Sequence, residues 1–103
     1  MTFDIEVSYQ ADTDLRSIFE YIAFELQSPV IAIEQLKRIE NKINLLNEMP
    51  ERFQLYREET TKSKEIRQMC IDNYSVFYYL NKEMKKVVII RVLYNRRNTE
   101  KLL

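Results

Sequence analysis

The chain has 103 residues, 46% of them hydrophobic, and its sixteen Lys+Arg balance sixteen Asp+Glu to give a formal net charge of zero. That length sustains one compact domain, residues 1–103, and the hydrophobic share is that of a globular chain. The lack of histidine removes the commonest general base and the commonest metal ligand, so neither a zinc site nor a histidine triad is expected, and no cofactor.

Zero net charge also argues against a dedicated nucleic-acid binder, which gains affinity by neutralising phosphates. No apolar run approaches the ~20 residues of a membrane span. The first ten residues, MTFDIEVSYQ, lack a signal-peptide pattern. A lone cysteine, Cys70, permits no internal disulfide, so the expected compartment is the cytoplasm, with no membrane partner.

FDIEVSY, Phe3 to Tyr9, alternates Phe3, Ile5 and Val7 with Asp4, Glu6 and Ser8, the pattern of a half-buried strand. Asp12 or Thr13 is the expected N-cap of a first helix, with Asp14 in its first turn where a carboxylate suits the dipole. Leu15, Ile18, Phe19, Ile22 and Leu26 recur at helical spacing and form one apolar stripe. Ser28-Pro29 ends that helix and opens another, with Ser as cap and Pro at the first position. Its stripe is Ala32, Leu36, Ile39, Ile43 and Leu46, and it stops around Asn47 to Pro50. So short a connection predicts an antiparallel helical hairpin.

The run from Glu51 to Glu65 is polar and charged, a connecting loop with Phe53, Leu55 or Tyr56 tucked inward. Three strands follow: Ile66 to Ile71, Tyr74 to Leu80 and Lys86 to Tyr94. Asp72-Asn73 and Asn81 to Lys85 join them as hairpins. Without glycine, positive-φ turns are expected to fall to Asn and Asp, at Asn47, Asp72-Asn73, Asn81 and Asn95. The order β-α-α-β-β-β predicts an α+β domain, a helical hairpin on a mainly antiparallel sheet.

Four stretches of the chain resemble the RelE/ParE superfamily of bacterial toxins, in order and over Ile5 to Arg97. ADTDLRSIFEYI is similar to the first-helix signature, and INLLNEMPERF to the end of the second helix. IRQMCIDNYSVFYYL resembles the central strand pair, and IIRVLYNRRN the last strand with its basic close. The resemblance implies the toxin of a type II toxin–antitoxin, plasmid-stabilisation type system, partnered by an antitoxin and forming a hetero-oligomer with it. RelE-like members cleave mRNA on the ribosome without a metal; ParE-like members poison DNA gyrase.

RNA cleavage without a metal needs a base, a general acid and cations facing the phosphorane. The positions where RelE-like members carry basic side chains hold Ile66, Gln68 and Ser75 in this chain. Arg67 alone stays charged in that strand, and alternation turns it to the opposite face. The ParE-like features Arg67, Asn73-Tyr74 and Arg96-Arg97 are all present, while Tyr94 and Asn98 replace a usual histidine and aspartate. The resemblance therefore implies a gyrase-binding toxin without chemistry of its own, gripping target or antitoxin through Arg67, Arg91, Tyr94, Arg96 and Arg97. One alternative is a ribosome-dependent endoribonuclease using Arg67, Tyr94 and Arg96 or Arg97; another is an inactive toxin fold that only binds its antitoxin.

Each residue also has a plain structural role open to it. Arg67 and Arg91 can pair with a helix carboxylate such as Asp14 or Glu20. Tyr74, Tyr78 and Tyr79 suit sheet packing, Cys70 an inert place among apolar neighbours, and the charged loop a solvated surface.

Overall fold

The first strand, β1 (Asp4–Val7), places Ile5 and the preceding Phe3 against the core, while Val7 is exposed. In this computed structural model, which describes residues 2–56 and 65–95, helix α1 (Tyr9–Glu20) begins directly after it. Its N-cap is Ser8, whose hydroxyl oxygen accepts the N–H of Ala11 at 3.0 Å. The cap is therefore neither Asp12 nor Thr13, and the first strand ends two residues before Tyr9. Ser8 is extended (φ −66°, ψ 162°) and lies between the two elements. A serine read as the polar face of a strand is equally a cap. Asp12 takes the first-turn place beside the helix dipole, and Asp14 is left free for other work.

Helix α1 passes into a π-helical turn, Tyr21–Glu25, closed by the Leu26 N–H on the Tyr21 carbonyl at 3.0 Å. The turn buries Ile22 and Ala23 but leaves Leu26 54% exposed, so the apolar stripe ends one turn short of its expected last member. Gln27 then adopts φ 53°, and the Ser28 N–H returns to the Ile22 carbonyl at 3.0 Å.

Helix α2 (Pro29–Asn44) has Ser28 and Pro29 in the expected places. The Ser28 hydroxyl, however, donates back to the Leu26 carbonyl instead of capping. Ala32, Ile39, Ile43 and Leu46 are buried. Two short 3₁₀ turns, Leu45–Asn47 and Pro50–Arg52, lead away from the hairpin.

Strands β2 (Arg67–Ile71), β3 (Tyr74–Asn81) and β4 (Lys86–Tyr94) complete a four-stranded sheet of order β1-β4-β3-β2. The β2–β3 and β3–β4 pairs are antiparallel hairpins, whereas β1 runs parallel to β4. The helical hairpin covers one face of this mixed α+β sheet. There Ala11, Leu15, Ile39 and Ile43 meet Met69, Val76, Tyr78 and Ile89.

Positive φ occurs at Gln27, Met49, Asp72 and Lys85. Only Asp72 is among the Asn and Asp positions expected. At Gln27 in the helical hairpin, Met49 before Pro50 and Lys85 in the β3–β4 turn the backbone path demands a left-handed residue where the sequence offers an ordinary one, and each carries a steric cost.

Candidate target-binding surface

Strand β4 carries a bulge: Phe77 faces Arg91 and Tyr78 faces Ile89, so Ile90 has no opposite residue. The extra residue resets the alternation. Val87, Ile89 and Val92 can then all enter the core, although the last two are three apart. Beyond Ile89, β1 no longer flanks β4, and the start of α1 takes over that edge. The Ser8 N–H bonds the Ile89 carbonyl at 2.9 Å, and the Ser8 hydroxyl donates to the Ile90 carbonyl at 3.2 Å. Asp14 binds Arg91 through two oxygens, at 2.8 and 3.0 Å, and also accepts the Val92 N–H at 2.9 Å. That pairing holds the Arg91 guanidinium above its ordinary pKa. Of the two carboxylates considered for it, Asp14 is the partner.

Arg67 sits at the far corner. Its guanidinium donates to the carbonyls of Phe53, at 2.7 Å, and Glu51, at 3.1 Å, and so clamps the Pro50–Arg52 turn to the edge of the sheet. Tyr78, which faces Arg67 across the β2–β3 ladder, donates its hydroxyl to the Pro50 carbonyl at 2.6 Å. Burial raises that phenol to about 12. Phe53 packs on the main core and Tyr56 on a second apolar cluster, as the inward-tucked loop required.

Tyr94 packs its ring on Tyr74, centroids 5.6 Å apart. Burial, with Tyr94, Asp72 and Tyr21 close by, pushes the Tyr74 hydroxyl up. Arg67 faces Tyr78 and Tyr94 faces Tyr74, so four residues and two strand spacings, about 16 Å, separate their backbones. The structure thus brings Arg91 and Tyr94 to one end of β4 and leaves Arg67 elsewhere. Arg96 and Arg97, the remaining expected contacts, lie outside the described residues, as do Asn98 and the charged run 57–64.

The sheet face away from the helices holds an apolar cluster of Ile66, Phe77 and Leu93. Beside it runs a neutral hydrogen-bonded chain. The Gln68 amide donates to the Ser75 hydroxyl at 2.9 Å, and that hydroxyl donates to the side-chain amide oxygen of Asn95. Ser75 is 1% exposed. Cys70 lies beside it, its sulfur 3.7 Å from the Ser75 oxygen, and is exposed. It is therefore not the enclosed small hydrophobe its strand neighbours suggested, because it points to the helix-free face of an edge strand. Alternation does separate Arg67 from Ile66 and Gln68. The Ser75–Asn95 link was invisible in sequence, since it joins a strand to a turn twenty residues later.

No match was found among curated proteins. Solved structures share the fold, among them three toxin–antitoxin systems. Coverage is 90% of this chain and 96% of the other for the chromosomal ParDE system of P. aeruginosa, with 15% identity and a TM-score of 0.70. For the archaeal RelE–RelB complex of Pyrococcus horikoshii OT3 the figures are 94%, 99%, 19% and 0.63. For the RelBE2 toxin–antitoxin complex of Mycobacterium tuberculosis they are 91%, 92%, 20% and 0.63. A family model described as the ParE toxin of the type II toxin–antitoxin system parDE matches residues 5–99, and the chain belongs to that family.

Proposed function

We propose that this chain inhibits growth by binding DNA gyrase, without cutting RNA, and that a cognate antitoxin neutralises it. The observation that carries the reading is the helix-free face of the sheet. Where an RNase needs cations around a phosphorane, this face has the buried Ile66 and the closed chain from Gln68 through Ser75 to Asn95. Neutral amides and a hydroxyl already engaged with one another offer no charge to a dianionic intermediate. The separation of Arg67 from Tyr94 adds to the case, since both would have to act on one phosphodiester.

Arg67 and Arg91 serve the fold, each held by a clamp within the domain. The gripping surface is the close of β4, Tyr94 and the two arginines that follow it in sequence, Arg96 and Arg97.

Tightly controlled expression, with DNA and protein synthesis followed after induction, tests the reading. DNA synthesis should halt first, with SOS induction, and the purified chain should inhibit gyrase supercoiling. Arg96→Ala with Arg97→Ala should relieve both effects without unfolding the protein. Early arrest of translation with mRNA cut in the ribosomal A site would overturn it. Co-expression of a small protein encoded next to the toxin should restore growth.

A further inference from the structure

Among the described residues, Tyr74 opposite Tyr94 is the last pair of the β3–β4 ladder. Asn95, the next residue, is held in two places. Its N–H donates to the Asn73 carbonyl at 2.8 Å, and its side-chain amide oxygen accepts the Ser75 hydroxyl. An exposed residue just past a strand end is ordinarily left to water and frays. This one is exposed and yet braced through backbone and side chain at once.

Both braces lead back into the domain. Asn73 belongs to the β2–β3 turn, where Asp72 holds a left-handed backbone (φ 53°). Arg38 and Gln35 of α2 donate to the Asp72 carboxylate at 2.9 and 2.8 Å and tie that turn to the second helix. The other brace starts at Gln68, whose amide donates to the Ser75 oxygen at 2.9 Å. That bond engages the hydroxyl as an acceptor and leaves its single hydrogen for Asn95. The Cys70 sulfur, 3.7 Å from the same oxygen, is the weaker competitor for it.

Ser75 is 1% exposed and cannot touch a partner. Its one hydrogen nevertheless goes to a surface residue that water would satisfy equally well. The chain from Gln68 through Ser75 therefore sets the orientation of Asn95, and with it the angle at which the backbone leaves the sheet.

We infer that Ser75 is a positioning residue for target binding, acting through Asn95 to hold the end of β4 in one geometry before gyrase arrives. This inference rests on the gyrase reading and deepens it. Ordering a segment at the moment of binding lowers affinity, and a brace formed during folding removes that penalty beforehand.

The test measures inhibition of gyrase supercoiling by the purified chain and by its Ser75→Ala, Asn95→Ala and doubly substituted forms. Each single variant should inhibit about tenfold more weakly. The double variant should be no weaker than either, because both substitutions break the same link. Cys70→Ala, on the same face but outside the link, should inhibit like the wild type. Amide hydrogen exchange gives a readout without gyrase. In Ser75→Ala the Asn95 N–H should exchange about tenfold faster while Val76 and Tyr78 keep their protection.

Unchanged exchange at Asn95 would overturn the inference and leave the gyrase reading standing. So would full inhibition by Ser75→Ala where Arg96→Ala with Arg97→Ala is inactive. An additive loss in the double variant, or an equal loss in Cys70→Ala, would overturn it as well. A wild-type chain that leaves gyrase untouched would overturn the gyrase reading and this inference with it.

Discussion

Asp14 of α1 grips Arg91 of β4 with both carboxylate oxygens and takes the Val92 N–H with one of them. The two side chains are only 13% and 22% exposed. Three hydrogen bonds to one carboxylate join the first helix to the last strand just past the bulge. Removing one partner of such a pair strands the other charge in a poorly solvated place. Asp14→Ala should lower stability by about 2–4 kcal/mol. Asp14→Asn, which keeps an acceptor for Val92, should lose less. Urea unfolding of the two variants reads the difference.

Tyr78 should make the fold sensitive to alkali. Its phenol is raised from 10.0 to about 12 by burial, so the protonated form is the one the native state favours. That contribution is complete below the unfolded value near 10.0 and is lost as pH climbs through about 12. Tyr78→Phe removes the bond to the Pro50 carbonyl and should cost about 1–2 kcal/mol at neutral pH. It should also flatten the stability loss above pH 10, which denaturant midpoints at rising pH would show.

At the acid end the corresponding residue is Asp72. The Arg38 hydrogen bond, and after it Gln35, holds its carboxyl below the ordinary value of 3.8. A lowered pKa gives stability that is fully present above 3.8 and fades as pH falls through the lower folded value. Asp72→Asn tolerates the same left-handed backbone but carries no charge. The wild type and this variant should therefore differ at pH 7 and converge as pH falls below 3.8 through the lower folded value, as followed by acid unfolding.

Lys85 and Gln27 hold φ values of 54° and 53°, where a Cβ is unfavourable and glycine is not. Relief of that strain exceeds the extra chain entropy glycine brings. Lys85→Gly and Gln27→Gly should each raise stability by about 0.5–1 kcal/mol. Met84→Gly, one residue away with no positive φ, should lower it. Thermal melts of the three separate backbone strain from generic loop effects.

Periodicity carried the reading of the elements because burial follows it closely in this chain. Ala32, Ile39, Ile43 and Leu46 repeat at helical spacing and are all buried, and Val76 and Tyr78 alternate into the core. What escaped was local backbone choice. Ser8 suited a strand face and a cap equally well, and the chain's path decided for the cap. The π-helical turn and the Ile90 bulge each insert one residue into a regular ladder, which an alternation pattern cannot register. The parallel β1–β4 pairing joins segments 82 residues apart and leaves no local trace. At the surface, the arginines were legible as residues but not as commitments. Arg67 and Arg91 both spend their donors on this fold's own carbonyls and carboxylate.

Among the described residues β1 has β4 as its one strand neighbour, which bears on how the protein is born. Asp4 pairs opposite Lys86, and translation at ~5–20 residues per second separates their appearance by roughly 4–16 s. Throughout that interval the nascent chain holds an unpaired N-terminal strand and a helical hairpin with no complete sheet beneath it. The bulge, the Asp14 clamp and the close of β4 can form only when the last strand emerges. Whatever this domain does, it does only once its last strand has been made, which leaves an interval in which the hairpin stands without its sheet.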